Sequence, residues 1–273
     1  MMKIAVSSDN HFDVNRLDVS AMIDAQAAYL LQQRVDVYLI AGDLFNSFEK
    51  SLDYVTRLQT AVGTQVLVRF IAGNHDMGRD VSFDELETAL SPYYFHHQTL
   101  DLGNWQIIGN NGWYDYSFAS GPDRDQIVQF KRGLYYDRVI EQPMTDPERT
   151  QLSLKQLGVQ LDAAQTAGKK VIIIQHFAPH GLDLSYPQHV ARWLMINGVM
   201  GSNQYAQLYA QYPNVQQVYY GHTHQTLLTR HLGTIAYNNV SVGYQRARIP
   251  EWTAETFIES WKNKIRYKVL TND

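Results

Sequence analysis

Five short apolar stretches of this chain each run into a turn that carries Asp, Asn or His. These are Asp9-Asn10-His11, Gly42-Asp43, Gly73-Asn74-His75-Asp76, His176 and Gly221-His222-Thr223-His224. Imidazole nitrogens gathered with carboxylate and amide oxygens are ligands for a divalent or transition metal. Without sulfur they suit Mn, Fe, Zn, Co or Ni rather than a thiolate-bound ion. The chain has no cysteine, which also removes a disulfide framework and a cysteine nucleophile. Residues two apart on extended backbone project to the same side, so Asp9 with His11, and His222 with His224, are expected to converge in pairs. Asp-x-His or His-x-His alone is a weak signal. A Gly-Asn-His-Asp tetrapeptide, however, is expected by chance only about 0.002 times at this composition, and the ordered set is stronger still.

The elements that must position these groups follow from hydrophobic periodicity. Strands are expected over 3–7, 35–41, 66–72, 171–175 and 216–220. Helices are expected through Val19, Met22, Ile23, Tyr29 and Leu30, over 47–61, and around Leu152, Leu157, Leu161 and Ala164. Near-continuous apolar strands alternating with helices mean a sheet covered on both faces, and such sheets bind ligands beyond the carboxyl ends of their strands. From Leu227 onward short β-branched and aromatic runs predict antiparallel strands over 227–231, 235–239, 256–261 and 265–270, the last two joined across Lys262-Asn263-Lys264. Two stretches break the alternation. Residues 110–149 are aromatic and charged without clear period, and 182–212 resemble helical insertions. Both are expected as loops or caps on a single domain spanning 1–273.

Composition narrows the function classes. The 273 residues are 45% hydrophobic and 18% charged, with 23 Lys+Arg against 27 Asp+Glu. A chain of that length buries enough surface to need no covalent staples. A net charge of −4 argues against a surface built throughout to neutralise phosphate backbones, though a local basic groove is compatible with it. No apolar run approaches the roughly 18 residues of a membrane span, and the first residues turn polar too soon for an export signal. A soluble, cytoplasmic protein without membrane partners is expected.

The five motifs, spread from Asp9 to His224, resemble those of the calcineurin-like metallophosphoesterase superfamily. The resemblance implies a four-layer α/β/β/α sandwich, two mixed sheets face to face with flanking helices, and a metal site at the sheet edge. Carried over position by position, it implies one ion held by Asp9, His11, Asp43 and His224. A second would be held by Asp43, Asn74, His176 and His222, with Asp43 shared. It also makes His75 the residue that stabilises the transition state or protonates the leaving oxygen. The expected cofactors are therefore two divalent or transition metal ions.

Elementary chemistry supports that assignment. A carboxylate can bridge two cations because its negative charge offsets their repulsion. Ions roughly 3.5–4 Å apart can share a water and lower its pKa from 15.7 towards about 7, giving a hydroxide that attacks phosphorus. Asp76 is expected to orient the His75 imidazole, a supporting role typically worth about 10–100-fold. One position departs from the pattern. Many members carry an arginine where this chain has Ser47, so the resemblance supplies no phosphate-binding arginine there, although Asn46 fits.

Several residues have a plainer reading. His96, His97, His189 and His231 sit in no motif and are expected as surface or hydrogen-bonded histidines, whereas His180, four residues past His176, is a candidate to line the site. Trp113, Tyr114, Tyr116, Phe118, Tyr135 and Tyr136 are expected to pack an irregular loop on the core, with stacking on a nucleobase or other aromatic leaving group as the alternative. Arg124, Lys131, Arg132 and Arg138 lie among aspartates and read as a solvated mixed-charge loop. Trp193 to Ile196 are expected to pack a cap helix that could also wall a pocket. The expected function is hydrolysis of a phosphate monoester or diester of a small molecule or nucleotide. A nuclease acting on DNA or RNA is the alternative, and a catalytically silent protein-binding scaffold of the same fold ranks below both.

Overall fold

The computed structural model describes residues 1–187, 189–246 and 251–271. In chain order the elements are β1 (Met2–Ser7), α1 (Val19–Gln32), β2 (Val37–Ile40), α2 (Phe48–Val62), β3 (Leu67–Phe70), α3 (Phe83–Leu86), β4 (Gln98–Leu102), β5 (Trp105–Gly109) and α4 (Arg124–Leu134). They continue as α5 (Asp146–Thr166), β6 (Lys170–Ile174), α6 (Ala191–Gly198), α7 (Asn203–Tyr209), β7 (Val215–Tyr220), β8 (Arg230–Leu232), β9 (Ile235–Asn239), α8 (Phe257–Lys264) and β10 (Arg266–Leu270).

The strands form two mixed sheets. One is ordered β10-β1-β2-β3 and the other β4-β5-β6-β7-β9-β8. β1, β2 and β3 run parallel, as do β5, β6, β7 and β9, while β10, β4 and β8 are antiparallel at the edges. The strands are apolar at consecutive positions because both faces are covered. Ile4, Val6, Val37 and Leu39 point one way and meet Ile107, Ile172 and Ile174 of the other sheet in a core between the sheets. Their alternates, such as Ala5, Tyr38 and Ile40, pack outward with Ile23, Leu30, Val55 and Leu58 of α1 and α2. On the far side Ile173 and Val171 pack with Leu157 and Leu161 of α5. The result is an α/β/β/α sandwich, as expected.

The sheets are tied together at one edge. Ser8, just past β1, bridges in parallel to Ser241, just past β9. The Asp9 N–H donates to the Gly42 carbonyl (2.9 Å) and the Gly243 N–H to the Asp9 carbonyl (2.9 Å), so the turns after β1, β2 and β9 are hydrogen-bonded into one surface. That surface carries the motif residues.

Four expectations need correction. The expected strand over 256–261 is instead the helix α8. Thr256 accepts the Glu259 N–H at the helix start and donates its hydroxyl to the Glu259 carboxylate, and Phe257 and Trp261, four apart, share the buried face. Lys262, Asn263 and Lys264 are thus the last helical turn rather than a hairpin loop, and β10 pairs antiparallel with β1. The strand expected over 227–231 is shorter and later, at Arg230–Leu232. Residues 110–149 are not periodless, since they hold α4, capped by Asp123 with Gln126, and the start of α5. Lys131 there is buried against Asp146 at 2.6 Å rather than solvated. Among the described residues, no helix is long and apolar enough to cross a membrane.

Candidate metal centre

β1, β2, β3, β6 and β7 each end at the same edge and deliver, in order, Asp9 and His11, Asp43, Asn74, His176, and His222 with His224. The pairs converge by turning sharply rather than by strand alternation. Asp9, His11, Asp43, His222 and His224 all have positive φ, between 44° and 68°. For residues other than glycine that conformation costs on the order of 1–3 kcal/mol each, and it persists where surrounding structure over-determines it, typically at functional sites. The neighbouring glycines make room. A Cβ at Gly73 would collide with Asp43 Oδ1, and one at Gly221 with Asp9 Oδ2.

The ligating atoms form two clusters that share Asp43. Asp9, His11, Asp43 and His224 make one, and Asp43, His176 and His222 the other, each with its atoms within 4.8 Å of one another. In the first, His224 Nε2 is 3.0 Å from His11 Nε2 and 3.1 Å from Asp9 Oδ1. In the second, His176 Nε2 lies 3.1 Å from both His222 Nδ1 and Asn74 Oδ1, which places the amide with the histidines. Asp43 Oδ2 stands between them, 3.6 Å from His11 Nε2 and 3.4 Å from His176 Nε2. That oxygen is buried and has no hydrogen-bond partner, an expensive arrangement unless a cation completes it. The residues present therefore fit a pair of metal ions.

Surrounding hydrogen bonds choose the tautomers. His176 Nδ1–H donates to the Ala41 carbonyl (2.8 Å), His222 Nε2–H to Val199 (3.1 Å), and His224 Nδ1–H to Glu251 Oε2 (2.7 Å). Each imidazole is left with its lone pair facing the clusters, as metal-binding histidines require. Asn74 is aimed likewise, its Nδ2 donating to Asp137 (2.7 Å). The carboxylates set a field that favours positive charge here. Burial lowers the pKa of His176, yet Asp43 lifts it to about 9. Burial likewise opposes, and Asp9 with Glu251 outweighs it, in lifting His224 to about 9. Burial and the neighbouring His176 push His222 down to about 3.

His75 stands outside both clusters, its ring centroid 4.7 Å from that of His11. Its Nδ1 is 2.6 Å from Asn46 Oδ1 and its Nε2 is 3.2 Å from the Tyr244 hydroxyl, while its ring stacks on Tyr136 at 4.0 Å. Asp76 does not orient it. That carboxylate is turned away and accepts the backbone N–H groups of Asp43 (2.6 Å), Gly73 (2.8 Å), Leu44 (3.0 Å) and Phe45 (3.3 Å) with the Ser51 hydroxyl, fixing the turn that carries Asp43. Ser47, the position without arginine, caps α2. His180 is buried near Asp183 and Tyr237, not on the clusters. His96 is a core histidine bonded to Glu87 and to the Asn111 N–H.

A cavity of about 340 Å³ opens over the clusters. Tyr135 and Tyr136 line it, as do Trp193 and Ile196 of α6, so the cap helix does wall the pocket. Trp113, Tyr114, Tyr116 and Phe118 are instead buried packing. Sequence reasoning missed Glu251 and Tyr244, which lie beyond the last motif and carry no local signature.

The profile of the calcineurin-like phosphoesterase family matches residues 2–226. The chain belongs to that family. Membership and the paired clusters are those of a metal-dependent phosphoric ester hydrolase with a binuclear centre. Among solved structures, this phosphoesterase is similar to a phosphopantetheinyl hydrolase from Mycobacterium tuberculosis, at 16% identity and a TM-score of 0.64, covering 98% of this chain and 95% of that one. It is also similar to a dimetal phosphatase from Danio rerio, at 11% identity and a TM-score of 0.55, covering 92% and 90%. At those identities the likeness is one of fold. No curated protein matches the chain by sequence.

Proposed function

We propose that this phosphoesterase hydrolyses a phosphate monoester or diester of a small molecule or nucleotide. Asp9, His11, Asp43 and His224 would hold one ion, and Asp43, Asn74, His176 and His222 the other. The observation that carries this reading is the unpartnered Asp43 Oδ2 between the two clusters. The ions, when bound, supply a water of lowered pKa and neutralise charge on the phosphoryl oxygens.

The rest is done by side chains of this chain. Asp43 sets the spacing of the clusters through one oxygen, while its other oxygen accepts the His75 N–H at 2.8 Å and locks the two motifs in register. With Nδ1–H directed at Asn46, His75 presents Nε2 to the cavity as the atom that stabilises the leaving oxygen or passes it a proton. Tyr136 and Tyr244 hold the imidazole plane. Water adds to phosphorus, the bond to the leaving oxygen breaks with its electron pair, and that oxygen ends protonated. The aromatic-walled cavity and the net charge of −4 favour a small substrate over DNA or RNA. The filled ligand set and His75 favour an enzyme over a silent scaffold.

A hydrolysis panel tests the reading: p-nitrophenyl phosphate, bis-p-nitrophenyl phosphate, cyclic nucleotides and single-stranded DNA, each with Mn²⁺. Chelator-sensitive turnover of a small phosphoester is expected. Turnover of DNA alone, with a steep salt dependence, would favour a nuclease instead.

A further inference from the structure

A second cavity, of about 680 Å³, lies behind the wall of the metal cavity and shares no lining residue with it. The wall is the end of α4 with the turn that follows. Phe130, Tyr135 and Tyr136 line the metal cavity, whereas Lys131, Arg132, Asp137 and Arg138 line the second. Its size is that of a small-molecule site. Its acids are mostly engaged within the fold. Asp146 accepts from Lys131 (2.6 Å), Trp113 (2.8 Å) and Gln142 (2.9 Å), Glu148 accepts the N–H (2.8 Å) and hydroxyl (2.7 Å) of Thr145, and Asp137 accepts from Asn74 (2.7 Å). Among the described residues, Glu141 is the lining acid left exposed and unpaired.

The bases are engaged far less. Lys131 is matched by Asp146, but Arg124, Arg132 and Arg138 are exposed and meet no carboxylate among the described residues. Arg138 donates to the Tyr135 carbonyl (2.9 Å), and Arg124 lies 6.0 Å from the Tyr116 ring centre. Arg124, Val128, Lys131 and Arg132 recur at helical spacing, so one face of α4 lines the cavity. Arg124 and Arg132 stand two turns apart on that face, about 12 Å along the axis, a gap two arginine side chains can close upon a ligand. Both act on one atom. Burial, then Asp146, raises the pKa of the Tyr116 hydroxyl, and Arg124 and Arg132 both oppose that rise.

We propose that this cavity is a second binding site, for a small anion carrying two or more phosphate groups, held by Arg124, Arg132 and Arg138. Guanidinium forks match phosphate oxygens in pairs, and three of them beside one unmatched carboxylate favour a multiply charged ligand over a single phosphate. The site is separate from the phosphoesterase reading, because none of the candidate metal ligands lines it.

The test is calorimetric titration of the Mn²⁺-loaded protein with imidodiphosphate, a pyrophosphate analogue with a P–N–P bridge, free Mn²⁺ being kept in excess so that the probe strips no metal. Wild type, Arg124→Ala, Arg132→Ala, Arg132→Lys and Glu141→Gln are compared. Each alanine variant should weaken the Kd about tenfold, the scale of a lost charge-assisted hydrogen bond, and Arg132→Lys should restore part of that loss. Glu141→Gln should tighten binding about two- to threefold by removing the one unmatched negative charge, a gain that a poorly folded variant could not imitate. A wild type that binds no imidodiphosphate would overturn the proposal. So would a Kd within twofold of wild type in both alanine variants, which would put the probe on the metal ions instead. Neither result would touch the phosphoesterase reading, which chelator-sensitive turnover decides.

Discussion

Asn46 Oδ1 lies 2.6 Å from His75 Nδ1, and this contact, not one from Asp76, sets which nitrogen of the imidazole faces the cavity. Asn46 follows the second motif and His75 lies within the third, so two strand ends cooperate in orienting one imidazole, the group proposed to stabilise or protonate the leaving oxygen. Asn46→Ala should lower kcat by about 10–100-fold, the usual scale for a residue that orients another at a metal site, with metal content unchanged. His75→Ala should cost more, about 100- to 10,000-fold in kcat, again with both ions retained. Steady-state kinetics with parallel metal analysis checks both. Loss of metal in His75→Ala would contradict its place outside the clusters.

Glu251 accepts the His224 Nδ1–H at 2.7 Å and also the Tyr244 N–H at 2.7 Å, so it holds a candidate ligand and a wall of the cavity together. Glu251→Gln should weaken Mn²⁺ binding about 10–100-fold at the cluster of Asp9, His11 and His224 and leave the other cluster nearly intact. Equilibrium dialysis would show two affinities pulled apart. Equal loss at both clusters would contradict this division.

Asp76 is fully buried and serves four backbone N–H groups of two turns. Asp76→Ala strands those donors away from water, at a cost on the order of 3 kcal/mol. For a chain of this size that corresponds to a melting point lowered by roughly 6–12 °C. Thermal unfolding followed by circular dichroism measures it. A stable variant with low turnover would instead return Asp76 to the role of orienting His75 that the sequence suggested.

The five strand ends could be read in the sequence because each combines an apolar run with a glycine or polar turn and a ligand-type side chain. Positive φ at Asp9, Asp43 and His222 agrees with those types, since Asp, Asn and His adopt it more readily than other side chains. The sandwich was readable for a related reason, as strands covered on both faces leave unbroken apolar runs. Partners made by tertiary proximity left no such trace. Glu251 reaches His224 from 27 residues away, and Tyr244 reaches His75 from 169. α8 was hidden because its aromatic and β-branched residues suggest a strand, and only Thr256 with Glu259 three residues on marks a helix start. The hairpin of β4 and β5 lies at the sheet edge, where only the short β4 alternates and β5 is buried nearly throughout.

The central claim is that one carboxylate joins two metal-holding clusters. Mn²⁺ bound per chain, measured by dialysis and elemental analysis on the wild type and on Asp43→Ala, tests it most directly. A pair of ions in the wild type, with binding at both clusters weakened together in the variant, is the predicted result. A wild type that takes up no manganese, or a variant that keeps the full complement, would contradict it.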